Sequence, residues 1–95
     1  MIKPTLVILT WNRQPSVDRS LTSNIMSADY PIHELIHVDN GSEPGFVEWF
    51  RNKFKPSTQI INDRNHGVAV GYNRGLAMAT GTHVIMTCDR DWETQ

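Results

Sequence analysis

Thr5-Leu6-Val7-Ile8-Leu9-Thr10 is an unbroken β-branched and leucine run that begins directly after Pro4. It shows no alternation of polar and apolar residues, so a strand built from it must be covered on both faces, as in parallel sheets. Working outward, Pro15 suits the first turn of a helix. Val17, Leu21 and Ile25 follow at the four-residue spacing that lines one helical face. Asp29-Tyr30-Pro31 closes that helix, because the residue before a proline avoids helical backbone angles. Leu35-Ile36-His37-Val38 reads as a second strand, running into the turn signal Asp39-Asn40-Gly41-Ser42. Phe46, Val47, Phe50 and Phe54 give a second helical stripe that ends at Pro56, and Gln59-Ile60-Ile61 reads as a third strand. Val68, Tyr72, Leu76 and Ala79 predict the apolar face of a third helix, with Gly81 as its C-terminal stop. His83 to Thr87 makes a fourth strand, followed directly by Cys88-Asp89-Arg90-Asp91-Trp92. The order β-α-β-α-β-α-β with short connections specifies an α/β fold, an open parallel sheet with flanking helices.

Length and composition agree with one domain over residues 1–95. Of the 95 residues, 39% are hydrophobic and 20% charged, an ordinary globular balance. Nine basic against ten acidic side chains leave a net charge of −1, which argues against a nucleic-acid or anionic-membrane footprint. The single cysteine, Cys88, has no partner for an internal disulfide, and no Cys/His spacing points to structural zinc. A reducing, cytoplasmic setting is the expectation, since the N-terminal apolar run is too short for a signal peptide or a membrane span. Four parallel strands also leave sheet edges open, which predicts either self-association or a further C-terminal part that covers them.

Ligands of open parallel sheets bind beyond the carboxyl ends of the strands. Each predicted strand here delivers polar groups to that edge: Trp11-Asn12-Arg13, Asp39-Asn40, Asp63 to Gly67, and Asp89-Arg90-Asp91. In near-extended backbone, residues two apart share a side, so Asp89 and Asp91 can face a common point. Paired carboxylates suit a hard cation such as Mn²⁺ or Mg²⁺; a solvated turn is the competing reading. Asp39 is an acceptor for a base or ribose, or else the cap of its own turn. Asn65 and Gly67 sit where the third helix begins. Gly67, Gly71 and Gly75 share one helical face, which permits close approach to the sheet or to a ligand. Trp11 can stack on a base or pack beneath a loop. His33, His37, His66 and His83 have no metal-ligand spacing and read as structural or exposed. The first strand-to-helix turn contains no glycine, so neither a dinucleotide G-x-G-x-x-G nor a Walker P-loop is present.

The ordered set Val7-Ile8-Leu9-Thr10-Trp11-Asn12-Arg13, Val38-Asp39-Asn40-Gly41-Ser42, Asn65-His66-Gly67-Val68-Ala69, Asn73-Arg74-Gly75-Leu76, Ala79-Thr80-Gly81 and Asp89-Arg90-Asp91 resembles family 2 glycosyltransferases of the GT-A fold. The resemblance covers nearly the whole chain. It implies the Rossmann-like, nucleotide-sugar-binding half of such an enzyme, with the acceptor-binding part and catalytic base lying after the D-x-D, so no catalytic residue is assigned. It further implies that Thr10, Trp11, Asn12 and Asp39 hold the nucleoside, that Asn65, Gly67 and Asn73 lie near the nucleotide sugar, and that Asp89 faces the ribose while Asp91 holds the metal. The implied donor is a nucleoside-diphosphate sugar, with UDP favoured, and the implied cofactor is Mn²⁺ or Mg²⁺. Trp11 stands where Tyr or Phe is commoner in the family, and Arg90 places a positive charge between the two aspartates. Two other functions remain open at this point: a non-catalytic nucleotide-binding module, and a metal-dependent phospho- or nucleotidyl-transfer domain.

Overall fold

The computed structural model describes residues 2–11 and 32–88. The predicted helix around Val17–Ile25 and the site residues Asn12, Asp89 and Asp91 lie outside those residues. In chain order the described elements are strand β1 (Pro4–Thr10), β2 (Glu34–Asp39), helix α1 (Pro44–Phe54), β3 (Thr58–Ile61), helix α2 (Val68–Met78) and β4 (His83–Cys88). The four strands form one parallel sheet in the order β3-β2-β1-β4. Successive strands thus step outward from β1 to β3, and β4 then returns to the other side of β1. Reversal of strand order at β1 puts a topological switch point beside its carboxyl end, the position where open α/β sheets bind ligands.

All seven residues of β1 are buried, as expected for a central parallel strand. Its side chains divide between two cores. Leu6 and Ile8 join Leu35 beneath Phe46 and Phe50 of α1. On the opposite face Val7, Leu9, Ile36 and Val38 form the second core, against which Tyr72, Ala79, Ile60 and Val84 pack.

Helix α2 meets the sheet through the small-residue face expected to permit close approach, together with Tyr72 and Ala79 of the predicted apolar stripe; the other two residues of that stripe do not take part. Val68 and Leu76 are half-exposed, whereas Gly71 and Gly75 are buried. A Cβ on Gly71 would sit 2.5 Å from Leu9 Cδ1, and one on Gly75 would sit 2.5 Å from Val7 Cγ1. The helix backbone therefore rests directly on the strand side chains. At such short range, the bulkier Val68 and Leu76 are accommodated only at the flanks. Gly81 also has a role other than the predicted stop. The helix ends at Met78 with Ala79 as an extended cap, and a Cβ at Gly81 would lie 2.2 Å from the Lys3 carbonyl oxygen. Close passage of the α2–β4 connection over β1, rather than a left-handed cap, requires glycine there.

Candidate functional site

The α1 face of the sheet changes character toward the carboxyl edge. Strand register sets Thr10 opposite Asp39 and His37 opposite Gln59, so three adjacent strands contribute to one polar row. Thr10, His37 and Asp39 are fully buried. Thr10 Oγ1 lies 2.8 Å from Asp39 Oδ1 and 2.7 Å from His37 Nε2. Asp39 also accepts from the Ser42 backbone N–H (2.7 Å, at Oδ2) and the Ser42 hydroxyl (2.6 Å, at Oδ1). The second contact pair holds the turn after β2 closed, the aspartate-capped turn that the Asp39-Asn40-Gly41-Ser42 sequence encodes. Of the two predicted roles of Asp39, the turn cap is the one these contacts display.

His37 stacks on Phe50, with ring centroids 3.6 Å apart and planes 17° from parallel. Burial, with a smaller contribution from the Arg51 charge, pushes its pKa down to about 3, so the imidazole is neutral. Its other nitrogen, Nδ1, lies 3.0 Å from Gln59 Nε2.

A second cluster joins the loops beyond β2 and β3. The Asn40 amide donates to the Gly67 carbonyl (3.1 Å), and its oxygen accepts from Asn62 (2.8 Å). Asn62 in turn accepts from the Arg74 guanidinium of α2. Asn65 accepts from the Gly67 N–H at 2.8 Å, folding the turn that leads into α2, where Gly67 has φ +89°. In the same loop, His66 and Asp63 pair at 2.7 Å, and this hydrogen bond holds the exposed Asp63 carboxyl below its usual range. Gly41 makes this meeting of loops sterically feasible. It has φ +83°, and a Cβ there would come within 2.7 Å of the Arg64 backbone.

Of the residues named from sequence, Thr10 and Asp39 are in direct contact, and Gly67 and Asn65 are tied to Asp39's neighbour Asn40. Trp11 is 43% exposed at the exit of β1, and Asn73 is exposed on α2. Sequence reading gave no site role to His37, Gln59, Asn62 or Arg74. The available signal was polarity out of place: His37 and Gln59 interrupt otherwise apolar strands. Among the described residues, no group of three or more His, Cys, Asp or Glu side chains gathers to hold a metal. Beside the polar row, an open cleft of about 340 Å³ is lined by Ser42, Pro44, Val47, Glu48, Arg51 and Ile61. No described helix is long and apolar enough to cross a membrane.

A parallel sheet with its switch point at β1, and an aspartate-bearing turn packed against that strand's end, form an α/β arrangement of the GT-A type. Residues 5–95 match the family model for glycosyl transferase family 2, and the chain belongs to that family. Among solved structures it is similar to the mannosyltransferase PcManGT from Pyrobaculum calidifontis in complex with GDP-Man and Mn²⁺, with 26% identity and a TM-score of 0.72. That likeness covers 93% of this chain and 27% of the mannosyltransferase chain. No curated protein matches.

Proposed function

We propose that this chain is the donor-binding part of a glycosyltransferase and holds a nucleoside-diphosphate sugar at the carboxyl edge of the sheet, beside β1. The observation that carries this reading is the buried Thr10–Asp39 pair, which joins β1 and β2 beside the switch point of a family 2 domain. Among the described residues Oδ2 of Asp39 receives only the Ser42 N–H, so it retains capacity for one donor from a base or ribose. Because Asp39 is fully buried, the rim must rearrange locally as that donor enters. Trp11 offers an exposed aromatic face for stacking, Asn12 adds a polar contact at the same loop, and Asn65, Gly67 and Asn73 border the sugar-diphosphate side.

Asp89 and Asp91 supply the hard oxygen donors that fit Mn²⁺ or Mg²⁺, with Asp91 as the metal ligand and Asp89 toward the ribose. The metal would stabilise the negative charge of the departing diphosphate as the sugar passes to an acceptor hydroxyl. The family resemblance implies UDP as the nucleotide, while the similar solved structure holds GDP-Man and Mn²⁺. A calorimetric titration of UDP and GDP, each with and without Mn²⁺, tests the reading. Manganese-dependent binding of either nucleotide is expected, weakened about tenfold or more by Asp39→Ala and losing its metal dependence in Asp91→Ala. Absence of binding to both nucleotides in the presence of Mn²⁺ refutes it.

A further inference from the structure

Gln59 of β3 reaches three groups at once. Its Nε2 lies 3.2 Å from the Val47 carbonyl oxygen and 3.0 Å from His37 Nδ1, and its Oε1 lies 2.8 Å from Arg51 Nε. A side-chain amide can ordinarily be placed either way round. Here both ends are decided: a backbone carbonyl only accepts, and a guanidinium only donates. The Gln59 NH₂ therefore faces His37, so Nδ1 must be the acceptor nitrogen and the neutral ring carries its proton on Nε2. That proton points at Thr10 Oγ1, 2.7 Å away. Having accepted there, the Thr10 hydroxyl has its single proton left for Asp39 Oδ1 at 2.8 Å.

We propose that His37 is a positioning residue for the nucleotide site. Gln59 locks it in the Nε2–H tautomer, so that Arg51, Gln59, His37 and Thr10 form a one-way chain of donors ending on Asp39. The nucleotide role of the chain rests on the proposed function above; its direction does not. Two hydroxyls, those of Thr10 and Ser42, occupy Oδ1 of Asp39, and the ligand's donor is left to Oδ2. In the opposite tautomer His37 Nε2 would be an acceptor and would compete with Asp39 for the single Thr10 proton. Oδ1 would then face the Thr10 oxygen lone pairs, and the carboxylate would lose its contact to β1, keeping only those from its own turn. Phe50, stacked on the imidazole, holds the ring plane in which both hydrogen bonds are made.

Long-range ¹H–¹⁵N spectra of the histidines, recorded without nucleotide, read the tautomer directly. The His37 signals should show a protonated Nε2 and an unprotonated Nδ1 in the wild-type protein. Gln59→Leu removes the group that selects the tautomer. It should shift the His37 nitrogen signals toward a mixed population and weaken UDP or GDP binding about tenfold while the protein stays folded. A residue with only a structural role would lower the melting temperature and leave those nitrogen signals in place. An Nδ1–H tautomer in the wild type overturns the proposal. So does a folded Gln59→Leu protein with unchanged nucleotide affinity and an unchanged His37 spectrum. If the wild type binds neither nucleotide, the proposed function fails, and the His37 spectrum alone still decides whether the donor chain runs toward Asp39.

Discussion

Acid should destabilise this domain through His37. The imidazole is buried against Phe50 with its nitrogens facing Thr10 and Gln59, and its pKa falls from 6.5 to about 3. The unfolded chain therefore binds a proton at 37 that the folded chain refuses throughout that interval. Stability must rise with pH across the window, so the contribution is complete above pH 6.5 and is lost as pH falls toward 3. Integrating between the two values, the native state at pH 5 should be less stable than at pH 7.5 by about 2 kcal/mol from this residue alone. His37→Gln removes the titration and keeps a polar side chain. Urea unfolding of wild type and variant at pH 7.5, 6.0 and 5.0, followed by tryptophan fluorescence, isolates the effect as a difference. The wild-type midpoint should fall with pH more steeply than the variant's. Parallel curves would refute the argument, because they would mean that His37 protonates in the native state at no greater cost than in the unfolded one.

Two further substitutions probe the frame around the site. Phe50 is fully buried and stacks on His37, so Phe50→Ala should cost about 3–5 kcal/mol in urea denaturation; a loss below about 1 kcal/mol would show that α1 does not depend on it. Gly41→Ala adds a Cβ 2.7 Å from the Arg64 backbone at a φ of +83°, and should cost about 2 kcal/mol or more. An unchanged melting temperature there would show that the loops beyond β2 and β3 are not in close contact.

The order of the described elements was legible because each strand is mostly apolar and each break carries a proline, a glycine or a polar turn. Strand bounds agree to within a residue or so: Thr5–Thr10 against Pro4–Thr10, and Gln59–Ile61 against Thr58–Ile61. The sheet-facing side of α2 was legible in part: Gly71, Gly75, Tyr72 and Ala79 do meet the sheet, whereas Val68 and Leu76 are exposed, for a physical reason. Ranking residues by hydrophobicity selects Val68 and Leu76, but a helix lying directly on a sheet presents its smallest residues, and here those are Gly71 and Gly75. His37 was assigned no function because one histidine in an apolar strand has no readable partner. Its partners lie on β1 and β3, and only the strand register brings Gln59 opposite it. Asn40 and Asn62 were unassigned for a similar reason, since their pairing depends on where two loops meet in space.

Stability alone does not account for the polar row. Position 37 lies on the α1 face between Leu35 and the Phe50 ring, where an apolar side chain would be buried without any desolvation of an imidazole. A histidine there carries the acid sensitivity argued above and obliges three neighbours to hydrogen-bond in a fixed sense. Buried polar chains are costly when any member lacks a partner, and among the described residues none does. What the chain produces is confined to its far end, where a carboxylate at the switch point receives donors from a strand and from a turn. On the α2 face at the same level, Leu9, Val38 and Ile60 are entirely apolar. The buried polar side chains of the strands at this edge thus share the α1 face, while Asn40 and Asn62 of the loops beyond it pair toward Arg74 of α2. This distribution is expected when the orientation of Asp39 toward a ligand, rather than cohesion of the core, sets which residues occupy those positions.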